Sequence, residues 1–178
     1  LTQFYKNKIT ENIFKKDIFP EIDQLQEEID NRKKYFNKLI EKLSLYINDN
    51  NQVKNSYIKL LKTEKSGYYL ELTTNRSKLL KEGFAKAGVS KIKIEKIAKL
   101  PYKIKVKEIK FVSKNSKTRL STNETNQIAD ELLFYLGKLE KLCTIYYKEV
   151  IQTYSKKYKK MFQYVSQFIS EIDILQSG

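Results

Sequence analysis

Histidine is absent from the 178 residues, which removes the commonest general base and the commonest zinc ligand. A single cysteine, Cys143, permits neither an internal disulfide nor a multi-cysteine metal site. Its place inside a helical pattern makes it structural, and so solitary a thiol points to an intracellular setting. Two prolines and five glycines are few, so the elements must run long and tight loops must be scarce. No run of about 18 apolar residues occurs, so no membrane span is expected. The chain opens on Leu1-Thr2-Gln3-Phe4, with no basic-then-apolar leader and no initiator Met, and reads as an excerpt of a longer protein. Neither a glycine-rich phosphate loop nor a nucleophile with a base beside it can be assembled. Catalysis within these residues is not expected, and no cofactor or metal is.

What is present is positive charge, and it is segregated. Lys and Arg total 35 against 21 Asp and Glu, a formal surplus of 14. Residues 54–121 hold 19 basic and 5 acidic side chains, which accounts for the whole surplus; the remainder has 16 of each. A surface of that kind is the electrostatic footprint for a polyanion, with DNA or RNA first in line.

The flanks carry helical patterns. Residues 1–19 read as an extended lead-in with scattered apolar positions. From Pro20, which suits a first helical turn, Ile22, Ile29, Phe36 and Leu43 recur every seven residues, with Leu25, Leu39 and Tyr46 at the other seam position and Arg32 as the one break. That is a heptad seam of roughly 40 Å, ended by Asn48-Asp49-Asn50-Asn51-Gln52. Ser121-Thr122-Asn123-Glu124 has the spacing of a capping box, the first and fourth residues answering each other, and announces a continuous second helix to about residue 175. The two helices should lie antiparallel, the second outrunning the first by some twenty residues. A distal stripe of Tyr154, Tyr158, Met161, Val165, Phe168 and Ile172 then needs a cover.

Between the flanks the pattern alternates as β-strand does. Strands are expected over Tyr57–Lys62 and Tyr68–Thr74, joined as a hairpin through Lys65-Ser66-Gly67, then a short helix over Ser77–Lys86 stopped by Gly88. Ile92 and Ile94, and after Pro101 Tyr102, Ile104 and Val106, alternate with lysines; a bulge or strand end at Glu108-Ile109 restores phase for Phe111. The fold class is therefore α+β: two long antiparallel, coiled-coil-like helices, 1–53 and 122–178, with a small antiparallel β-rich unit, 54–121, inserted between them.

Two polar stretches are the sharpest binding candidates. The turn Thr73-Thr74-Asn75-Arg76 and the loop Ser113-Lys114-Asn115-Ser116-Lys117-Thr118-Arg119 supply hydroxyl, amide and cationic donors at strand ends, the chemistry that grips phosphate oxygens without reading bases. The plain alternative is solvated turns. The lysine faces at 91–107 have a stronger alternative, since lysine commonly guards edge strands against aggregation.

At Gly67-Tyr68-Tyr69-Leu70-Glu71-Leu72-Thr73 the chain resembles the MutS family of mismatch-repair proteins, whose lever and clamp region has such a strand, followed by a polar loop ending near a Thr-Pro-Glu. Arg119, Thr122 and Glu124 fall at the matching spacing, while Leu120 and Asn123 depart from it. Phe19-Pro20-Glu21-Ile22-Asp23-Gln24-Leu25 is similar to the family's lever-helix entry and Ser170-Glu171-Ile172-Asp173-Ile174-Leu175 to its exit. The resemblance covers residues 9–178, with 83–110 longer than the family's connection. It implies a clamp between two lever helices, closing on the backbone of double-stranded DNA as half of a homo- or heterodimer. ATP and Mg would belong to an ATPase domain elsewhere in the parent protein. On this reading the phosphate contacts are Thr74, Asn75, Arg76, Ser113, Lys114, Asn115, Lys117 and Arg119, and Glu71 orients a neighbour. Two rivals are a coiled-coil assembly module whose basic head docks an acidic protein or membrane surface, and an RNA-binding stalk of a ribosome-associated factor.

Overall fold

The computed structural model describes residue 9 and residues 11–47, 57–63 and 67–177. The strand-turn at Lys65-Ser66 and the helix stop at 48–52 lie outside these. Helix α1 spans Pro20–Ser44, with Pro at its start and Glu21 and Asp23 complementing the positive end of its dipole. The carbonyl of Phe19 accepts from the N–H groups of Ile22 and Asp23 and closes the first turn. Ahead of it the described lead-in is not helical: Phe14 meets Phe19 edge-on, and Phe19 stacks on Tyr146 at 4.3 Å.

The α+β class holds: three helices and two antiparallel sheets are present among the described residues. Strands β1 (Lys59–Thr63), β2 (Gly67–Thr73), β5 (Lys110–Lys114) and β6 (Lys117–Ser121) form one sheet in the order β1-β2-β6-β5. Strands β3 (Lys91–Lys93) and β4 (Lys103–Lys105) form a separate two-stranded ribbon. Helix α2 (Thr74–Lys86) follows β2 directly, and helix α3 runs unbroken from Asn123 to Ser177, about 80 Å.

Several local expectations need correction. Thr73-Thr74-Asn75-Arg76 is not a loop: Thr73 is the N-cap of α2, its hydroxyl accepting from the Arg76 N–H, and Thr74 begins the helix. The same residue types favour turns and caps, so composition does not separate the two. The polar stretch 113–119 is a hairpin, β5 and β6 joined at Asn115-Ser116 with Lys114 opposite Lys117. Asn115 has φ 55°, the left-handed conformation such a two-residue turn needs and Asn tolerates. The slip before Phe111 is a single 3₁₀ turn, Val106–Glu108. The cap of α3 sits one residue later than its spacing suggested: Thr122 and Thr125 exchange bonds, Thr125 Oγ1 accepting from the Thr122 N–H at 2.7 Å and Thr122 Oγ1 from the Thr125 N–H at 3.1 Å.

The core joins all these elements. Ile22, Ile29, Phe36, Leu39 and Leu43 of α1 face Ile128, Leu132 and Leu139 of α3, and the buried set continues through Leu70, Leu72 and Leu120 of the larger sheet to Ile92 and Ile104 of the ribbon. Each such side chain contributes about 1.5–3 kcal/mol of burial. The helix contacts run antiparallel, Glu21 meeting Tyr146 and Arg32 meeting Glu131. Past Tyr146, α3 continues for 31 residues to Ser177, longer than the overhang expected. That stretch is bare: Tyr154, Met161, Phe162, Val165, Phe168 and Ile169 are all exposed. No helix among the described residues is long and apolar enough to cross a membrane.

Arg32, the break in the seam, is buried. It pairs with Glu28 one turn back and with Glu131 across the seam at 2.7 Å, and its guanidinium lies 4.4 Å over the Tyr135 ring. Because Glu28 and Glu131 keep 48% and 33% of their side-chain exposure, Arg32→Ala is expected to cost about 3 kcal/mol, the low end for breaking a buried pair, and Arg32→Leu less. Burial pushes Glu131 up, but hydrogen bonds from Arg32 and Gln127 and the charge of Arg32 outweigh it and hold the carboxyl below its ordinary range. A depressed folded pKa contributes stability that is full above the ordinary glutamate range and lost as pH falls through the folded value. The urea-unfolding gap between wild type and Arg32→Leu should therefore narrow below about pH 4. At Gly137, where an added Cβ would meet nothing within 4 Å, Gly137→Ala should raise stability by about 1 kcal/mol, read from the same unfolding curves.

Candidate nucleic-acid interface

Strand alternation sorts the larger sheet into two faces. Leu60, Tyr68, Leu70, Leu72, Phe111 and Leu120 face the core. The other face follows from the register: Lys59, Glu71, Arg119 and Val112 lie directly opposite one another across the four strands, and Thr73, Lys117 and Lys114 form the next row. This outer face is basic around one carboxylate. Lys117 and Glu71 pair at 2.9 Å, which raises the Lys117 pKa through that hydrogen bond and charge. The Arg119 guanidinium lies 3.9 Å over the Tyr69 ring. A shallow groove of about 600 Å³ opens here, lined by Glu71, Val112, Lys114, Asn115, Ser116, Lys117 and Arg119.

The two candidate stretches, some forty residues apart in sequence, meet. The Thr74 N–H donates to the Ser116 carbonyl at 2.9 Å and the Thr74 hydroxyl to the Asn115 carbonyl at 3.3 Å, so the first turn of α2 is tied to the tip of the β5–β6 hairpin. Below the tip, Thr118 is wholly buried among hydroxyls, its Oγ1 2.9 Å from Ser113 Oγ, 3.4 Å from Ser77 Oγ and 3.5 Å from Thr74 Oγ1.

The eight predicted residues thus divide by geometry. Lys114, Asn115, Lys117 and Arg119 line the groove. Thr74 and Ser113 serve the joint between hairpin and helix, Ser113 on the strand face turned toward α2. Asn75 is exposed on the first turn of α2, and Arg76 lies 4.6 Å over the Tyr57 ring. Sequence reasoning missed Lys59 and Lys110, which share the outer face; their parity with Glu71 and Arg119 was the available signal, but it needs the strand register to be read. Thr118→Val keeps the shape but removes the central hydroxyl. It is expected to cost about 1–2 kcal/mol by thermal unfolding and to increase hydrogen exchange at Thr74 and Arg76, since the helix start loses the hydroxyl contacts that supplement its bonds to Asn115 and Ser116.

No protein-family model matches the chain. Over 96% of its length it is 29% identical to a protein of Acanthamoeba polyphaga mimivirus described as a MutS homolog of DNA mismatch repair. The chain spans 15% of the length of that relative. Nearly all of it is therefore similar to one part of a much longer MutS homolog.

Proposed function

We propose that the chain is the lever and clamp part of a MutS-like protein, and that it holds duplex DNA by the phosphate backbone without reading sequence. Helices α1 and α3 are the two levers, and residues 54–121 are the clamp set between them. The observation that carries this reading is the outer face of the larger sheet, where Lys114, Lys117 and Arg119 border one groove in the segment holding the whole positive surplus. Such a face offers cations and amides to phosphate oxygens and no built pocket for a base edge. Similarity to a MutS homolog supports the same partner. In the parent protein two such clamps would close on one duplex as a dimer, and a separate domain would bind ATP and Mg. This part holds DNA and carries out no reaction of its own.

Among the described residues Glu71 is the one acidic group lining the groove, and it would be repelled by phosphate. Its work is to position Lys117. Titration of labelled duplexes of unrelated sequence at several salt concentrations should give equal affinities, falling by roughly five log units per tenfold salt if five or six phosphates are neutralised. Lys114→Gln and Lys117→Gln should each flatten that slope by about 0.9, equally on every sequence, and Glu71→Gln should leave it unchanged or steepen it. Sequence-dependent affinity, or a slope indifferent to Lys114 and Lys117, would remove the reading.

The bare apolar stripe of α3 favours a second reading, a coiled-coil assembly module whose basic head docks an acidic surface. Binding to acidic vesicles or acidic protein with no duplex binding would select it. Structured RNA displacing DNA from the groove would instead favour the RNA-binding stalk.

A further inference from the structure

The β3–β4 ribbon is the second concentration of positive charge, and nothing said of the groove accounts for it. Its register sets Lys91 directly opposite Lys105 and Lys93 directly opposite Lys103, with Ile92 opposite Ile104 between them. The two isoleucines are buried and all four lysines are exposed. Like charges directly opposite in an antiparallel pair destabilise it, and here two such pairs follow each other. Among the described residues, only Lys105 of the four has a carboxylate at ion-pair distance, Glu108 at 2.8 Å. Lysine also guards edge strands, but here four stand on one face in two directly opposed pairs and form a plane of cations. Their points of attachment are about 5 Å apart across the ribbon and about 6.8 Å apart along each strand, so four flexible ammonium groups share one small face.

The ribbon does not share the groove's face. Ile104 lines a small void with Leu70 and Leu120, so the ribbon turns its apolar side to the core side of the larger sheet, the side opposite Arg119 and Lys117. The loop between the strands, at Leu100 and Pro101, borders instead the groove over Arg32, Ile128 and Tyr135 of the helix pair. The core therefore lies between the two basic surfaces, and one straight duplex cannot lie along both.

We propose that Lys91, Lys93, Lys103 and Lys105 form a second, independent phosphate-backbone site, so that one head can hold two duplex segments at once. The inference rests on the groove being the first duplex site, and the test separates the two. One labelled duplex is immobilised, the 178-residue chain is bound to it, and capture of a second, differently labelled duplex is measured. Analytical ultracentrifugation gives the stoichiometry. The native chain should capture the second duplex in a complex of one chain and two duplexes.

The quadruple variant K91Q/K93Q/K103Q/K105Q should lose that capture by about tenfold or more while its affinity for the first duplex changes by about twofold or less at low salt. Because the change removes like-charge pairs at exposed positions, the variant should melt no lower than wild type, and an unchanged circular dichroism spectrum confirms its fold. Capture undiminished in the variant, or a complex holding two chains, would overturn the second site while leaving the groove untouched. Conversely, K114Q/K117Q/R119Q should still bind one duplex through the ribbon and fail to hold a second; if it holds two as the native chain does, the groove reading fails, and if it binds none, the ribbon is not an independent site. Absence of any duplex binding by the native chain overturns both.

Discussion

Arg32 occupies a buried seam position between helices whose contacts are otherwise mainly apolar, Glu21 with Tyr146 at the exposed end apart, and it fixes what the apolar contacts leave free. Apolar side chains reward burial but tolerate sliding along a seam. A guanidinium that must meet Glu131 on the facing helix, Glu28 on its own and the face of Tyr135 is satisfied in one register. With α1 and α3 held so, Leu43 arrives beside Thr122 and Thr125, where the sheet hands over to the helix. The position of the head relative to the stalk, and so of every cation in it, follows from that alignment.

The head then faces the opposite problem, a surplus of like charges in a small volume. Among the described residues the ion pairs of Lys117 with Glu71 and of Lys105 with Glu108 offset part of it, and aromatic rings seat other cations. Arg119 lies over Tyr69, Arg76 over Tyr57, Lys81 over Phe111 and Lys62 over Tyr68. Ring faces attract a cation by about 0.5–1 kcal/mol at exposed sites without cancelling its charge. The aromatic residues of the basic segment therefore seat cations through a contact that does not itself cancel their charge, as a carboxylate would. The ion pair of Glu71 places Lys117 beside the groove.

How much of this was readable from the residues depends on the range of the interaction. The seven-residue recurrence of Ile22, Ile29, Phe36 and Leu43 and the alternation about Ile92 and Ile104 are local periodicities, and they gave the right element types. The start of α2 was missed because Thr73 and Thr74 suit a turn as well as a cap, and the α3 cap was placed one residue early because two overlapping pairs, Ser121 with Glu124 and Thr122 with Thr125, have the same spacing. Arg32 looked like a defect because its partner is 99 positions away. The site was half legible. Lys114, Lys117 and Arg119 stood out by charge, but the meeting of Thr74 with Asn115 and Ser116, and the addition of Lys59 and Lys110, are products of strand register. Nothing in a single sequence states which strand sits beside which.

Strand β6 ends at Ser121 and α3 begins at Asn123, with Thr122 alone between them, its hydroxyl and N–H both committed to Thr125. That joint contains no pivot. The hairpin and the long helix behind it are therefore joined without a flexible linker. Any turn of the sheet about that joint must be taken up by α3 itself, as rotation or as bending along its exposed length, because Thr122 alone lies between them.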